Sequence, residues 1–250
     1  MTTSNLFLSG ISPKRRDALV SQCKPVDLPL HTVLYEAGVV PLHAYFPTSG
    51  LASVVTPMSN GETAEVGFIG HEGIVGSLQL LGRTSLPTRC MMQLTGNGLR
   101  IPFVVMQELF ESSEEIRNRV LEFVQEQAAV LAQIAGCNRL HSAEERLIRW
   151  LLMAQDQTQS DVLRFTQKYL AAMIGTQRTT VSVLAGSLQQ RGLITYTRGK
   201  IQIIDRDRLA AITCDCYPVT KRLYANLYSK DERPTSANGH SSLLTKAAIA

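Results

Sequence analysis

The residues best equipped for chemistry in this 250-residue sequence are hydrogen-bond donors, and they crowd into one stretch, Thr166 to Gly192. Lys168, Gln177, Arg178, Thr179, Thr180, Ser182, Gln189 and Arg191 bring cations, amides and hydroxyls with few carboxylates among them. Such a set suits contacts to phosphate oxygens and base edges better than it suits a merely solvated face. Arg178 carries a guanidinium that can reach guanine O6 and N7 together. The chemistry is recognition rather than bond-making. No P-loop, G-x-S-x-G, H-E-x-x-H or convincingly spaced carboxylate pair occurs, so no catalytic residue is assigned.

Two short helices must hold these donors. Leu170 and Ile174 share one face of the first, and Val181, Leu184 and Leu188 share one face of the second. Gly175 supplies the positive φ for a sharp turn between them, and Ala171 is small where the helices cross. This is the helix-turn-helix pattern, whose second helix enters the DNA major groove. A hairpin pattern follows at once: Leu193 to Thr197, the turn Arg198-Gly199-Lys200, then Ile201 to Ile204. A turn with Gly and two cations fits a wing that touches the sugar-phosphate backbone. The expected DNA contacts are Thr166, Lys168, Gln177, Arg178, Thr179, Thr180, Ser182, Arg198 and Lys200. The competing reading is an ordinary helical hairpin inside a core.

Charge is distributed to match. The net +4 conceals a split. Residues 1–140 hold 10 Lys and Arg against 12 Asp and Glu, a balance of −2, whereas residues 141–250 hold 15 against 9, a balance of +6. The basic half is the one with the helix-turn-helix, as attraction to phosphate requires. A 44% hydrophobic fraction describes a soluble globular chain long enough for two cores. No apolar run is long enough to span a membrane, and the N-terminus lacks the basic start and apolar stretch of a secretory signal. The expected location is cytoplasmic. Cys23, Cys90, Cys137, Cys214 and Cys216 are odd in number and scattered, so no disulfide framework is expected. Cys214-Asp215-Cys216 is the only close pair, and a lone C-x-C without partners is assigned no metal.

Taken in order, the chain opens with a short helix from about Ser12 to Cys23, started by Ser12 as cap and Pro13 at the first helical position. From Pro25 to about Pro102, short apolar runs alternate with Gly, Pro and Asn turn signals, predicting an antiparallel barrel or roll. Asn60-Gly61 is the clearest hairpin turn. A helix over Phe103–Ser112 precedes a long one from Glu114, with Ser112 or Ser113 as cap. Along the long helix, Ile116, Val120, Phe123, Gln127, Val130, Ile134 and Cys137 recur in alternating steps of four and three, the seam of a paired helix. Val124, Ala128, Leu131 and Ala135 form a second stripe that could cover the roll. The lone Gln127 on the seam favours a dimer, because a polar seam position sets register; a wholly intramolecular helix is the alternative. Ser142-Ala143-Glu144-Glu145 opens the next helix. Short helices are expected over Asp205–Ile212 and Tyr217–Tyr228, then a disordered tail from Ser229.

A roll, a long pairing helix and a winged helix-turn-helix, in that order, resemble the Crp/Fnr family of bacterial transcription regulators, over roughly residues 25–228. The segment Cys137–Leu152 also looks like that family's connector. The resemblance implies an α+β fold: an N-terminal antiparallel β-roll of double-stranded β-helix or jelly-roll type, a long dimerisation helix and a C-terminal winged helix-turn-helix. The expected divisions are 1–112 for the cyclic-nucleotide-binding-like roll, 113–138 for the dimerisation helix, 139–228 for the DNA-binding domain and 229–250 for the tail. It also implies a homodimer on palindromic double-stranded DNA, with RNA polymerase as a partner if the chain activates. In the catabolite activator branch an Arg-Glu pair opens the recognition helix and another Arg follows a turn later. Here Arg178, Thr179 and Val183 match those places, so the operator should differ.

The sensory half departs from the family further. Cyclic-nucleotide binders of the family place Gly-Glu at the start of a cassette and Arg plus a small hydroxyl near its end. Gly76-Ser77 and Arg89-Cys90 match those places and are the candidate ligand-binding residues. The missing carboxylate and hydroxyl cost about 1–3 kcal/mol each, which disfavours cyclic AMP and leaves the effector unknown. Arg89 can still bind an anion, or else is a surface cation on an edge strand. Only Cys23 lies near the N-terminus, so the family's iron-sulfur cluster is not expected. His31, His43, His71 and His141 are solitary and are assigned no haem. The reading is a Crp/Fnr-type DNA-binding regulator. Its rivals are an enzyme using the roll as a cup, and a ligand-binding or interaction module with a vestigial winged helix.

Overall fold

A computed structural model describes residues 5–59, 63–82, 85–158 and 160–226. The Asn60-Gly61 turn and the tail from Ser229 fall outside these residues.

The N-terminal half opens with α1 (Leu6–Ser9) and α2 (Pro13–Ser21). Asn5 caps α1 and is fully buried, its amide donating to the carbonyls of Pro47 (2.8 Å) and Gly73 (2.9 Å). Pro13 does start α2, but Ser12 does not cap it; its hydroxyl donates to Glu115 instead (2.8 Å). Among the described residues seven strands follow: β1 (Lys24–Leu28), β2 (Val33–Tyr35), β3 (His43–Pro47), β4 (Leu51–Pro57), β5 (Thr63–Ile69), β6 (Arg89–Leu94) and β7 (Gly96–Pro102). They form two antiparallel sheets, ordered β1-β7-β3 and β2-β6-β4-β5. β4 and β5 pair as the hairpin expected around Asn60-Gly61, from Ala52↔Ile69 to Pro57↔Thr63. Leu28, Phe46, Ala52, Ile69, Val75, Met92 and Ile101 belong to the core of this half.

α3 (Phe103–Ser112) and α4 (Glu114–Leu140) close the roll. Ser113 caps α4, accepting from the Ile116 amide (3.4 Å), with Glu114 and Glu115 in the first turn where the helix dipole favours acids. The expected pairing seam, however, faces inward. Ile116, Val120, Phe123, Val130 and Cys137 are all buried within their own chain, and Gln127 donates to the Tyr224 hydroxyl at 3.5 Å. Burying each of these large apolar side chains is worth about 1.5–3 kcal/mol, so the roll and the C-terminal helix claim the stripe first. Of the second stripe, Ala128 and Ala135 are exposed while Val124 and Leu131 are half-buried. Periodicity finds stripes but does not say which neighbour covers each.

The C-terminal half comprises α5 (Ala143–Thr158), β8 (Val162–Arg164), α6 (Gln167–Met173), α7 (Arg178–Gln190), β9 (Ile194–Thr197), β10 (Lys200–Ile203), α8 (Arg206–Ile212) and α9 (Cys216–Asn226). Ser142 and Glu145 form the expected reciprocal cap, Ser142 N–H donating to the carboxylate at 2.8 Å and the Glu145 amide to the Ser142 hydroxyl at 3.3 Å. Those hydrogen bonds hold the Glu145 carboxyl below the usual carboxylate range. Every residue from Leu147 to Gln155 is buried, because α5 lies between the roll and the helix-turn-helix. Its Trp150 stacks edge-on to Phe165 (4.7 Å) and meets Phe68 of the roll (6.2 Å). Leu51 and Phe68 of the roll therefore share one core with Leu170, Ile174 and Val181.

Candidate nucleic-acid interface

α6 begins at Thr166, whose hydroxyl accepts from the Tyr169 amide (3.1 Å). The chain then reverses through Gly175 at φ +62°, a conformation costly for any residue with a Cβ. Thr176 N–H closes the turn on the Ala171 carbonyl at 2.9 Å. Leu170 and Ile174 from α6 and Val181, Ala185 and Leu188 from α7 are buried, with Leu184 half-buried. The inward face thus follows the spacing read from the sequence, with Ala185 added.

The opposite face of α7 is open. Gln177, Arg178, Thr179, Ser182 and Val183 are exposed, Val183 at 71%, and Thr180 is half-buried. No acidic residue lies in the first turn, and no side chain caps the helix, so its first amides remain available to an anion. Thr166 and Lys168 are exposed at the start of α6. Arg178 makes one long contact, Nε donating to Gln167 Oε1 at 3.5 Å.

The wing is a three-stranded sheet, β8-β10-β9. Its turn places Arg198 at φ +49° and Gly199 at φ +78°, the left-handed pair that matches a two-residue hairpin to strand twist. Lys200 pairs in register with Thr197 on one side and Arg164 on the other. Arg164, Arg198 and Lys200 are all exposed, so three cations stand at the tip. Arg164 was not among the expected contacts; Val162–Arg164 is too short for alternation to mark it as a strand, and its place beside Lys200 comes only from pairing. Two donors read as belonging to the outer face are engaged within the fold. Arg191 Nη1 lies 2.6 Å from Glu144, and Gln189 Oε1 accepts from the Tyr196 amide at 2.7 Å, bracing the wing.

In the roll, Gly76 has φ +98°, and Ser77 is buried just ahead of a 3-10 turn at Leu78–Leu81. Arg89 is not on an edge strand: β6 is flanked by β2 and β4, and its guanidinium Nε sits 3.2 Å from Glu36, an ion pair without hydrogen-bond alignment. Cys90 is fully buried, and burial pushes its thiol well above the ordinary range. A cleft of about 420 Å³ between the roll and β8, lined by Ser49, Gln93, Thr95, Ser160 and Arg164 among others, includes none of these four.

His71 Nδ1 lies 2.7 Å from the Gln157 carbonyl, linking roll to α5. His141 is not solitary, and the C-x-C is not without partners: the ligand atoms of Cys137, His141, Cys214 and Cys216 all lie within 4.8 Å of one another.

The model of the Crp-like helix-turn-helix domain matches residues 145–212, the span from α5 through α8. The chain has the Crp/Fnr regulator fold with a Crp-like helix-turn-helix domain. A protein assigned to the Crp/Fnr family from Eubacterium rectale aligns at 14% identity over 81% of this chain and 95% of its own, with a TM-score of 0.64. The c-di-GMP-responsive global regulator CLP from Xanthomonas campestris aligns at 16% identity over 76% and 98%, TM-score 0.63. FixK2 from Bradyrhizobium japonicum aligns at 12% over 77% and 98%, TM-score 0.65. These likenesses are of fold. No curated protein is detectably similar in sequence. Among the described residues no helix is long and apolar enough to cross a membrane.

Proposed function

We propose that the chain is a sequence-specific, DNA-binding transcription regulator of the Crp/Fnr type, acting as a homodimer on palindromic sites. The observation that carries this is the open face of α7, whose donors point to solvent beside three wing cations rather than into the protein. In this reading α7 lies in the major groove, with Arg178 bidentate to a guanine, Thr179 and Ser182 hydrogen-bonding base edges and the Val183 methyls against thymine. Thr166, Lys168, Gln177, Thr180, Arg164, Arg198 and Lys200 hold the backbone phosphates. Two copies place their recognition helices about 34 Å apart in successive grooves. The face left for pairing is not the buried seam but Leu121, Gln125, Ala128, Ala132 and Ala135, exposed and again in steps of four and three.

A ligand in the roll would act by binding one arrangement of the two DNA-binding units more tightly. At Arg89 an anion would have to displace Glu36. Because one neighbour responds to c-di-GMP, that nucleotide and cyclic AMP are the first to add. If the chain activates, RNA polymerase is a further partner. Selection of bound fragments from a random duplex library, with and without the nucleotides, should enrich an inverted repeat. No preference over random duplex at moderate salt would overturn the reading.

A further inference from the structure

Three of the five cysteines, drawn from segments far apart in sequence, form a buried cluster of their own: Cys137, Cys214 and Cys216. Cys137 Sγ lies 3.6 Å from Cys214 Sγ, 77 residues away in sequence. His141, one helical turn beyond Cys137 at the end of α4, places Nδ1 3.4 Å from Cys216 Sγ. We propose that Cys137, His141, Cys214 and Cys216 form a structural zinc site that fastens the C-terminal end of α4 to the turn between α8 and α9.

The geometry is that of one ion. Zinc–sulfur bonds of about 2.3 Å in a tetrahedron set neighbouring sulfurs about 3.8 Å apart, close to the 3.6 Å found. Four ligand atoms within 4.8 Å leave room for one ion and not for a multi-iron cluster. Three thiolates and an imidazole are also the donors zinc prefers, and four protein ligands leave no open position, the mark of a structural rather than catalytic ion.

The surroundings carry the second set of contacts such sites need. His141 Nε2 lies 3.4 Å from the Asp215 carboxylate, which orients the ring so that Nδ1 faces the sulfurs. Gln133 Nε2 donates to Cys216 Sγ at 3.1 Å. Burial raises the Cys137 thiol, and the nearby Arg149 guanidinium, 1% exposed and with no hydrogen-bond partner at Nε among the described residues, acts against that rise. Three thiolates around a divalent ion leave one negative charge, which this buried cation would balance.

The inference does not depend on DNA binding. The test is zinc content of the full chain, produced without a histidine tag and dialysed. One zinc per chain is expected, released on titration of the thiols with an organomercurial, and cobalt replacement should give thiolate-to-cobalt charge-transfer absorption with tetrahedral d–d bands. Cys214→Ser and Cys216→Ser should lose most of the metal, while Cys23→Ser retains it. Asp215→Asn, with all four ligands intact, should hold zinc about 10–100-fold more weakly. A metal-free chain with five reactive thiols, a Cys137–Cys214 disulfide, or iron with acid-labile sulfide would each overturn the proposal. The wild-type stoichiometry and cobalt spectrum decide even if a variant fails to fold.

Discussion

At the scale of single residues, a side chain's role follows from what else competes for it. Arg178 and Arg191 both lie within the stretch that reads as a donor-rich face, yet one is open and the other is paired with Glu144. Arg178→Ala should weaken binding to the selected operator by about 1–3 kcal/mol and relax choice at one base pair per half-site; unchanged affinity in a gel shift would remove Arg178 as a reader. Arg191→Ala, losing a partly exposed ion pair, should cost under about 1 kcal/mol of stability and leave base preference alone. Lys200→Ala should weaken binding evenly across sequences and reduce the slope of log affinity against log salt by about 1. The nine expected DNA contacts come from residue type and spacing; eight of them are exposed and Thr180 is half-buried. Arg164 could not be found that way, because strand pairing brings it beside Lys200.

At the scale of elements, α4 is the place where pattern and structure part. Heptad spacing in Ile116 through Cys137 is real, but the stripe is consumed by the chain's own roll and by α9. Phe123, fully buried and edge-on to Phe7 at 6.0 Å, should cost about 3–5 kcal/mol of stability when changed to Ala, measured by denaturant unfolding. Ala128→Glu, on the exposed face, should leave the fold intact and convert a dimer to a monomer in sedimentation. If it leaves the dimer unchanged, the pairing face lies elsewhere.

Across the whole molecule, the two halves are joined by a half-buried acid. Glu65 on β5 accepts from Trp150 Nε1 (3.2 Å), from the Tyr169 hydroxyl (2.9 Å) and from the Ser53 hydroxyl. Desolvation pushes its carboxyl up to about 7 despite those hydrogen bonds, and Glu72 is raised to about 7 by the same cause. A carboxyl whose folded pKa exceeds its unfolded value stabilises the fold when protonated, so its contribution is complete below about pH 4.5 and is lost as pH rises through about 7. Glu65→Gln should therefore flatten part of the fall in melting temperature between pH 5 and 7, with Glu72 contributing in the same direction. An unchanged profile would mean that Glu65 ionises freely in the fold.

By itself the sequence determined the helix-turn-helix, its polar outer face, the β-rich first half and the basic second half. These are local matters: apolar spacing, a glycine where φ must be positive, caps within one turn, and net charge. Only the tertiary structure decided which stripe of α4 is covered, that Glu36 holds Arg89, and that four scattered thiol and imidazole side chains meet at one point. Each of those depends on segments far apart in the chain being packed together. No periodicity within a segment records what lies across from it.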